Sequence, residues 1–412
     1  MIPIPVETIA ALGLGELNGA GDVTGLEIDS RRVRPGDLFV AIRGGRAFVA
    51  DARERGATTL VPADEFGAMA VIGEVLRARS GARFVGITGS TGKTSTKDIL
   101  AALCAPVART VATEGSYNAE LGVPLTLGRL EPDTEICLVE MGMRGFGQIT
   151  ELCEIARPEI GVITAVGPVH LELVGSVEGV ARSKAELVAA LPDGGIAVVP
   201  RSADLEPHLR DDIEIRRVEP VDVTLDGDGA QIAFAGSRIR FPLTSRHQAQ
   251  NALTALTAYD ALGLPLDRLA ESAATVRLSP WRGEELDLPG GGFVINDAYN
   301  ANPTSMEAAL RHLAERGAGR RLVAILGGMA ELGEQAERHH REIAELAAEL
   351  GIEVIAVGEL GRGYAAMTWE PDAEAALIAA RERVQPGDGV LVKASRSVAL
   401  EGIAPDLANV SS

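Results

Sequence analysis

The segment Thr88–Ser95 has the residue types that bind the phosphates of a nucleotide. It reads Thr-Gly-Ser-Thr-Gly-Lys-Thr-Ser and lies between an apolar stretch that begins at Phe84 and an amphipathic stretch that begins at Lys93. Glycines let backbone N–H groups surround a phosphate, while Lys93 and Thr94 would reach the β/γ-phosphates and Mg²⁺. Ile87 replaces the first glycine of the full G-x-x-x-x-G-K-[ST] pattern, so an ordinary glycine-rich turn remains the alternative. The strand-to-helix context favours a nucleotide site made of Gly89, Ser90, Thr91, Gly92, Lys93, Thr94 and Ser95.

Two further side chains are candidates to bind a cation beside that loop. Glu140 ends the apolar run Ile136–Glu140. A carboxylate at the carboxyl end of a parallel strand lies on the same side as the phosphate loop. His170 follows the strand predicted at Ile160–Thr164 and should emerge at the same edge. The alternatives are a solvent-exposed acid for Glu140 and a packing or hydrogen-bonding role for His170.

Lysine is rare in this chain. Only four of its 39 basic residues are lysine, namely Lys93, Lys97, Lys184 and Lys393. A chain that otherwise uses arginine is expected to keep lysine where a primary amine matters. An amine of lowered pKa can react with CO₂ to give a metal-binding carbamate, which a guanidinium cannot do. Lys184 is therefore a candidate for carbamylation, with a simple surface lysine as the alternative.

A polar segment follows the apolar run Gly292–Asn296. It reads Asp297-Ala-Tyr-Asn300-Ala-Asn302-Pro-Thr-Ser305. Such side chains ahead of a helix can contact a ribose or a base, but Asn-Pro and Ser are also what a helix start needs for capping. The residues alone leave both interpretations open.

Charge and composition exclude several classes of protein. The net charge is 39 − 58 = −19, without the basic cluster that nucleic-acid binding needs. No apolar run reaches the ~18 residues that would span a bilayer. The first basic residue is Arg31, so the chain lacks the charged start of a signal peptide. Cys104, Cys137 and Cys153 lie in apolar stretches and predict buried free thiols. We therefore expect a cytoplasmic protein that binds no nucleic acid and enters no membrane.

Apolar strands alternate with amphipathic helices from Arg83 onward, which predicts an α/β fold with mostly parallel sheets. The predicted strands are Phe84–Thr88, Ile136–Glu140, Ile160–Thr164 and Ile196–Val199, then Gly292–Asn296, Arg321–Leu326, Glu353–Val357 and Val390–Lys393. The predicted helices include Lys93–Cys104, Gly147–Ala156, Val177–Leu191 and Gln248–Leu262. Residues 205–245 are short, Gly/Asp-rich runs typical of an antiparallel extension. We predict three domains, a small α/β domain at 1–81, a central domain at 82–281 and a third at 282–412.

Taken in order, these segments resemble the Mur ligase family, most closely its members that add D-alanyl-D-alanine to UDP-MurNAc-tripeptide. The resemblance extends from Asp29-Ser-Arg31 to Lys393-Ala-Ser-Arg-Ser397, and its most specific parts are Asp297–Met306 and Ser116–Pro124. It implies an N-terminal domain for the UDP-sugar, a central P-loop ATPase and a C-terminal Rossmann-like domain. It also implies that ATP phosphorylates the terminal carboxylate of the tripeptide and that the amine of D-Ala-D-Ala attacks the acyl phosphate. Mg²⁺ and Lys93 would offset the repulsion between the two anions.

The resemblance further implies roles for individual residues in a monomeric enzyme. The catalytic positions match Lys93, Glu140, His170 and Lys184. The metal positions match Thr94, Glu140, His170 and a carbamylated Lys184. The ATP-contacting positions match Asn251, Arg282, Asp297 and Asn300, and the substrate-contacting ones match Ser30, Arg31, Asn118, Asn302 and Ser305. Lys393 falls in the family's final strand-end motif, and Lys97, which matches nothing assignable, is interpreted as helix surface.

Several positions depart from the family pattern. The segment Gly44–Phe48 is shorter than the family's loop with Asp-Gly-His, and Ala119, Ala165 and Gly328 stand where polar residues are common. These departures keep open a ligase of the same architecture for another carboxylate and amine, folylpolyglutamate-like or cyanophycin-like. A noncatalytic nucleotide-binding module is a second alternative, against which the joint presence of Glu140, His170 and Lys184 argues.

Overall fold

The chain forms an α/β fold organised around three main sheets, as the sequence predicted. The computed structural model describes residues 1–227 and 229–409. We call the elements around these sheets the first, central and third units. The domain boundaries at 81/82 and 281/282 stay a prediction. No helix within the described residues has both the length and the apolar character needed to cross a membrane.

The first unit contains a four-stranded mixed sheet in the order β2-β6-β5-β4 and a separate antiparallel pair, β1-β3. Its elements are β1 Ile4–Pro5, α1 Val6–Ala11, β2 Gly15–Asn18, β3 Asp22–Val23, β4 Gly25–Glu27, β5 Asp37–Val40, α2 Val49–Glu54, β6 Thr58–Pro62 and α3 Glu65–Arg79.

The central unit contains six parallel strands in the order β12-β11-β10-β7-β9-β8. Its first elements are β7 Arg83–Thr88, α4 Lys93–Cys104, β8 Thr110–Ala112, α5 Gly122–Leu127, β9 Ile136–Glu140, α6 Gln148–Ala156, β10 Ile160–Ile163, α7 Leu171–Val174, α8 Val177–Ala189 and β11 Ile196–Pro200. The remaining ones are β12 Glu214–Val218, β13 Val223–Leu225, β14 Ala230–Phe234, β15 Ser237–Phe241, α9 Arg246–Ala261 and α10 Leu269–Ala274.

The predicted antiparallel extension is right for β13–β15 and wrong for β12. Strands β13, β14 and β15 form an antiparallel sheet, but β12 pairs in parallel with β11 at the edge of the central sheet. Glu214 and Arg216 on β12 form an exposed ion pair. Their charges interrupt the apolar run by which an interior parallel strand is recognised.

The third unit contains a six-stranded sheet in the order β16-β17-β21-β18-β19-β20, parallel except for β16. Its elements are β16 Glu284–Leu288, β17 Gly292–Asn296, α11 Pro303–Arg316, β18 Leu322–Gly327, α12 Ala336–Glu349, β19 Ile352–Val357, β20 Thr368–Glu370, α13 Ala373–Arg383, β21 Gly389–Lys393 and α14 Ile403–Ala408.

The units share buried surface. Helix α3 packs on α5 and α6 of the central unit, and Arg77 of α3 donates to the carbonyl of Ala156 at 2.8 Å. All three cysteines are buried and free, which confirms that prediction. Burial raises the pKa of each thiol to about 12.

Candidate active site

Two sheet edges bring the predicted site residues together. In the central sheet, β7 lies between β9 and β10, and its last residues pair with Glu140 and Ile163. In the third sheet, β17 and β21 are neighbours, and Asp297 follows β17 with its N–H donated to the carbonyl of Val392. Ligand sites form at the carboxyl ends of parallel strands, and here both edges face one cavity of about 1020 Å³.

Most of the predicted residues line this cavity. They are Ser90, Thr91, Gly92, Lys93, Thr94, Ser95, Asn118, Glu140, His170, Lys184, Asn251, Arg282, Asp297, Asn300, Asn302 and Ser305. Ser30 and Arg31 line a different cavity of about 1640 Å³, between the first unit and the central unit. Tyr117 lines the larger cavity, whereas its neighbours Ser116 and Asn118 line the smaller one.

The phosphate loop leaves no space for side chains at two glycines. A Cβ atom on Gly89 would lie 1.9 Å from Thr164 Oγ1, and one on Gly92, where φ is 81°, would lie 2.2 Å from Asn251 Oδ1. Helix α4 begins directly after Gly92, so its first N–H groups are available to an anion. Lys93 Nζ donates to the carbonyl of Gly89 at 2.7 Å.

The cavity contains two amines whose pKa values are lowered, the half-buried Lys93 and the buried Lys184. Burial lowers the pKa of Lys93, and Glu140 partly opposes this shift. Burial and then the charge of Lys93 hold the pKa of Lys184 well below its ordinary value. Lys184 is 2% exposed, and its Nζ has no hydrogen-bond or ion-pair partner within the described part of the chain. The surface-lysine alternative is therefore wrong.

Glu140 has one satisfied and one unsatisfied carboxylate oxygen. Its side chain is buried, and Oε1 accepts a hydrogen bond from Asn118 Nδ2 at 2.7 Å. Oε2 has no partner among the residues that the structure describes. The alternative of a solvent-exposed acid is therefore wrong. A buried oxygen without a partner fits a missing ion or water, and oxygen is the donor that Mg²⁺ prefers.

His170 contacts Glu331, which was not among the predicted site residues. Its Nδ1 lies 2.5 Å from Oε2 of Glu331, and Glu331 Oε1 lies 3.4 Å from Arg144 Nε. Burial lowers the pKa of His170, and Glu331 opposes the shift. The sequence offered one signal for Glu331, namely that it follows the end of β18 and so lies at the sheet edge where the site forms.

The segment 297–305 lines the cavity and also caps the start of α11. Asn302 Oδ1 accepts the N–H of Ser305 at 3.0 Å, and Ser305 Oγ accepts the N–H of Asn302 at 3.1 Å. This reciprocal pair is a capping box, so the capping interpretation is confirmed. Asn302 Nδ2 also donates to the carbonyl of Ser90 at 3.4 Å. Lys393 Nζ contacts Asp297 Oδ2 at 2.5 Å and donates to the carbonyl of Asn300 at 2.9 Å.

Arg282 joins the two units at the cavity. Its Nη2 donates to Thr94 Oγ1 at 2.8 Å, and its guanidinium lies 4.0 Å from the ring centroid of Tyr299. The hydroxyl groups of Tyr299 and Ser116 form a hydrogen bond. Tyr299 and Ser116 were not among the predicted site residues, although they lie in the motifs Asp297–Met306 and Ser116–Pro124.

The interpretation of Lys97 as helix surface is wrong. Its side chain is buried, and Nζ donates to the carbonyls of Thr113 at 2.6 Å and Gly115 at 3.1 Å, with Asp98 Oδ1 at 3.1 Å. Asp98 Oδ2 accepts the N–H and the hydroxyl of Ser279. Backbone carbonyls have no sequence signature, so this arrangement could not be anticipated.

Family comparisons agree with this geometry. Residues 87–259 match the Mur ligase middle domain, and residues 281–396 match the Mur ligase, glutamate ligase domain. The chain therefore belongs to the Mur ligase family, which confirms the resemblance.

Individual relatives are similar over nearly the whole chain. The UDP-N-acetylmuramoyl-tripeptide--D-alanyl-D-alanine ligase of Mycobacterium tuberculosis strain H37Rv is 34% identical over 93% of this chain and 92% of its own. The enzyme of the same name from Escherichia coli K12 is 32% identical over 98% of both chains. The crystal structure of MurF from Acinetobacter baumannii has a TM-score of 0.86 at 26% identity over 98% of both chains. MurF from Thermotoga maritima in complex with ADP has a TM-score of 0.83 at 26% identity, covering 93% of this chain and 97% of that one.

Proposed function

We propose that the protein is an ATP-dependent amide ligase that adds D-alanyl-D-alanine to UDP-MurNAc-tripeptide in peptidoglycan precursor synthesis. The observation that carries the proposal is the shared cavity. Glu140 and Lys184 of the central unit line it together with Arg282 and Asp297 of the third unit. The relatives named for this reaction support the choice of substrates, because they match over more than nine tenths of each chain.

The proposed reaction has two steps. The terminal carboxylate of the tripeptide attacks the γ-phosphorus of ATP, giving an acyl phosphate and ADP. The amine of D-Ala-D-Ala then attacks the acyl carbon, phosphate leaves, and the nitrogen loses a proton to give the amide. Lys93 and the N–H groups at the start of α4 offset the charge of the transferred phosphoryl group. The residues that line the cavity hold both reactants in place.

The proposed Mg²⁺ ligands are Thr94, Glu140, His170 and a carbamylated Lys184. Bound Mg²⁺ would neutralise negative charge on the phosphates. Glu140 Oε2 fits this role because it is buried without a partner in the described structure. No cluster of three or more His, Cys, Asp or Glu that could hold a metal is found within residues 1–227 and 229–409. A carbamate on Lys184 would add the second anionic oxygen donor that this set otherwise lacks.

Carbamylation requires a neutral amine, which attacks CO₂ and releases a proton to give the carbamate. Burial favours the neutral form of Lys184, since its pKa is held well below the ordinary value. Two measurements test the modification. Protein in ¹³C-labelled bicarbonate should show a carbamate carbon signal that disappears in Lys184→Arg. The same variant should lose ligation and keep ATP binding, and unchanged activity would contradict the carbamate.

The remaining site assignments are proposals supported by position. Asn251, Arg282, Asp297 and Asn300 would contact ATP, and Asn118, Asn302 and Ser305 would contact the reacting end of the substrate. Ser30 and Arg31 would contact the UDP-sugar in the larger cavity. An elongated substrate that spans both cavities would pass the segment 116–118, which lines each of them. We further propose a monomeric, cytoplasmic enzyme.

Phosphate release from ATP and Mg²⁺ tests the reaction. The two substrates are added to the purified protein singly and then together, and the mass of the product is measured in parallel. We expect release only with both substrates and a UDP-pentapeptide product. ATP binding without release under any of these conditions would contradict the proposed substrates and direct the search to other carboxylates and amines.

A further inference from the structure

The contact between His170 and Glu331 joins the central unit to the third unit. Glu331 lies in the segment 329–335, which follows β18 and packs against α7. A Cβ on Gly333 would lie 3.3 Å from Glu172 Cα, and Leu332 is 2% exposed. The segment thus lies directly over the helix that begins after His170.

Both residues of this contact have strained backbones. His170 has φ of 51° and Glu331 has φ of 62°, values that residues with a side chain rarely adopt. Such residues persist only where the surrounding structure holds them, and they cluster at functional sites. These two residues meet across the interface in a direct polar contact, so the packing of both units holds the contact in place.

The third unit holds Glu331 in place through its own backbone contacts. The N–H of Met329 donates to His340 Nε2 at 2.9 Å, and the N–H of Ala330 donates to Ser395 Oγ at 3.0 Å. The segment is therefore fixed on its own sheet, and from there it presents the carboxylate to His170 across the interface.

We propose that Glu331 is a positioning residue for His170. Its carboxylate accepts the Nδ1–H of the imidazole and so leaves the lone pair on Nε2 available to a divalent cation in the cavity that His170 lines. A ligating histidine commonly donates its other N–H to such a carboxylate, which fixes the tautomer and the ring orientation. The inference rests on the proposed cation site.

This arrangement couples cation binding to the docking of the third unit. The carboxylate that orients His170 comes from one unit, and the imidazole comes from the other. By thermodynamic linkage, docking that raises cation affinity implies that the cation favours docking to the same extent. The third unit would then complete the cation site as well as cover it.

The test compares Glu331→Gln with the control Glu334→Gln. Glu334 lies in the same segment, carries the same charge and is exposed. Binding of Mn²⁺ is measured by electron paramagnetic resonance with a nonhydrolysable ATP analogue. We expect about 10–100-fold weaker Mn²⁺ binding in Glu331→Gln, as for other outer-shell partners of metal ligands, and wild-type binding in Glu334→Gln.

A second measurement detects the tautomer. Histidine ring ¹⁵N and ¹³C resonances are recorded on the full-length protein with the same ATP analogue, and the chain's six histidines make assignment tractable. His170 should be the Nδ1–H tautomer in the wild type and in Glu334→Gln, and should lose that single state in Glu331→Gln. A purely structural contact would fix the tautomer without changing Mn²⁺ affinity, so the two measurements are made on the same variants.

Two outcomes would overturn the proposal. One is a wild-type His170 that is not the Nδ1–H tautomer, which requires no variant to fold. The other is Glu331→Gln with wild-type Mn²⁺ affinity, whichever tautomer His170 then adopts. Failure of the wild type to ligate D-Ala-D-Ala would instead contradict the proposed function, while the Mn²⁺ and tautomer measurements decide the role of Glu331 separately.

Discussion

At the scale of single residues, Lys184 combines a cost to folding with a proposed chemical role. The folded protein disfavours its protonated form, because the amine is buried and has no partner in the described structure. The unfolded chain, in contrast, can hydrate the ammonium group. Lys184 thus lowers the stability of the unmodified protein at any pH at which its amine is protonated in the unfolded state.

We expect Lys184→Met to raise the stability of the protein in CO₂-free buffer by about 1–2 kcal/mol near neutral pH. The pKa of Lys184 is lower in the folded state than the ordinary 10.5. Between these two values the unfolded state binds more protons, so wild-type stability rises with pH and the advantage of the variant shrinks toward pH 10.5. Urea unfolding between pH 6 and pH 10 measures this. A variant less stable than the wild type at neutral pH would contradict the argument.

Lys97 is the second lysine whose burial leads to a prediction. In Lys97→Met the carbonyls of Thr113 and Gly115 lose their donor, and Asp98 loses its ion pair. We expect a loss of about 2–3 kcal/mol in the free energy of unfolding. The control is Arg129→Met, which removes an ion pair with Glu114 and a hydrogen bond to the carbonyl of Ala112. Both contacts are exposed to water, so their loss should cost less than about 1 kcal/mol. Equal losses in the two variants would contradict a structural role specific to Lys97.

At the scale of elements, the start of α11 illustrates how one side chain can serve a helix and a site. Asn302 caps the helix, and it also contacts the phosphate loop through the carbonyl of Ser90. Asp372 caps α13 in the same way, by accepting the N–H of Ala375 at 2.9 Å, but it is not among the residues that line the active-site cavity. The two caps therefore form a matched pair.

We expect Asn302→Ala and Asp372→Ala each to cost about 1 kcal/mol of stability through loss of the cap. Only Asn302→Ala should also reduce ligation, since it alone removes a contact to the phosphate loop and a proposed substrate contact. Thermal unfolding and steady-state kinetics on both variants check this. A similar loss of activity in both would show that the effect on catalysis comes from stability alone.

At the scale of the whole molecule, polar side chains hold the third unit against the central unit. They include Arg282 with Thr94, Asn302 with Ser90 and Glu331 with His170. Contacts of this kind are modest individually, so docking of the two units should respond to what the cavity binds. Residues of both units line the single active-site cavity.

We expect Arg282→Ala to weaken ADP binding about 10-fold and to increase the radius of gyration of the nucleotide-bound protein, because the variant loses the Thr94 contact and the Tyr299 stacking together. Calorimetry and small-angle scattering measure the two effects. The control is Arg316→Ala, which removes contacts with Glu285 and Phe293 within the third unit. Unchanged affinity and dimensions in Arg282→Ala would contradict a joining role.

The sequence by itself determined the α/β alternation, the phosphate loop between β7 and α4, and the position of Glu140 at the end of β9. These features depend on local patterns, namely apolar runs, glycine spacing and strand-end polarity, and parallel pairing then places the strand ends along one edge. The sheet edges and most of the proposed site residues were therefore predictable.

Only the tertiary structure decided which side chains meet across long separations. Glu331 contacts His170 from 161 positions away, and Lys97 is buried against backbone carbonyls that have no sequence signature. Ser30 and Arg31 line a cavity separate from that of the phosphate loop. A side chain at position 328 would clash in this packing, since a Cβ on Gly328 would lie 2.3 Å from that of Leu360. Each of these outcomes depends on how the units pack, and local periodicity contains no information about such packing.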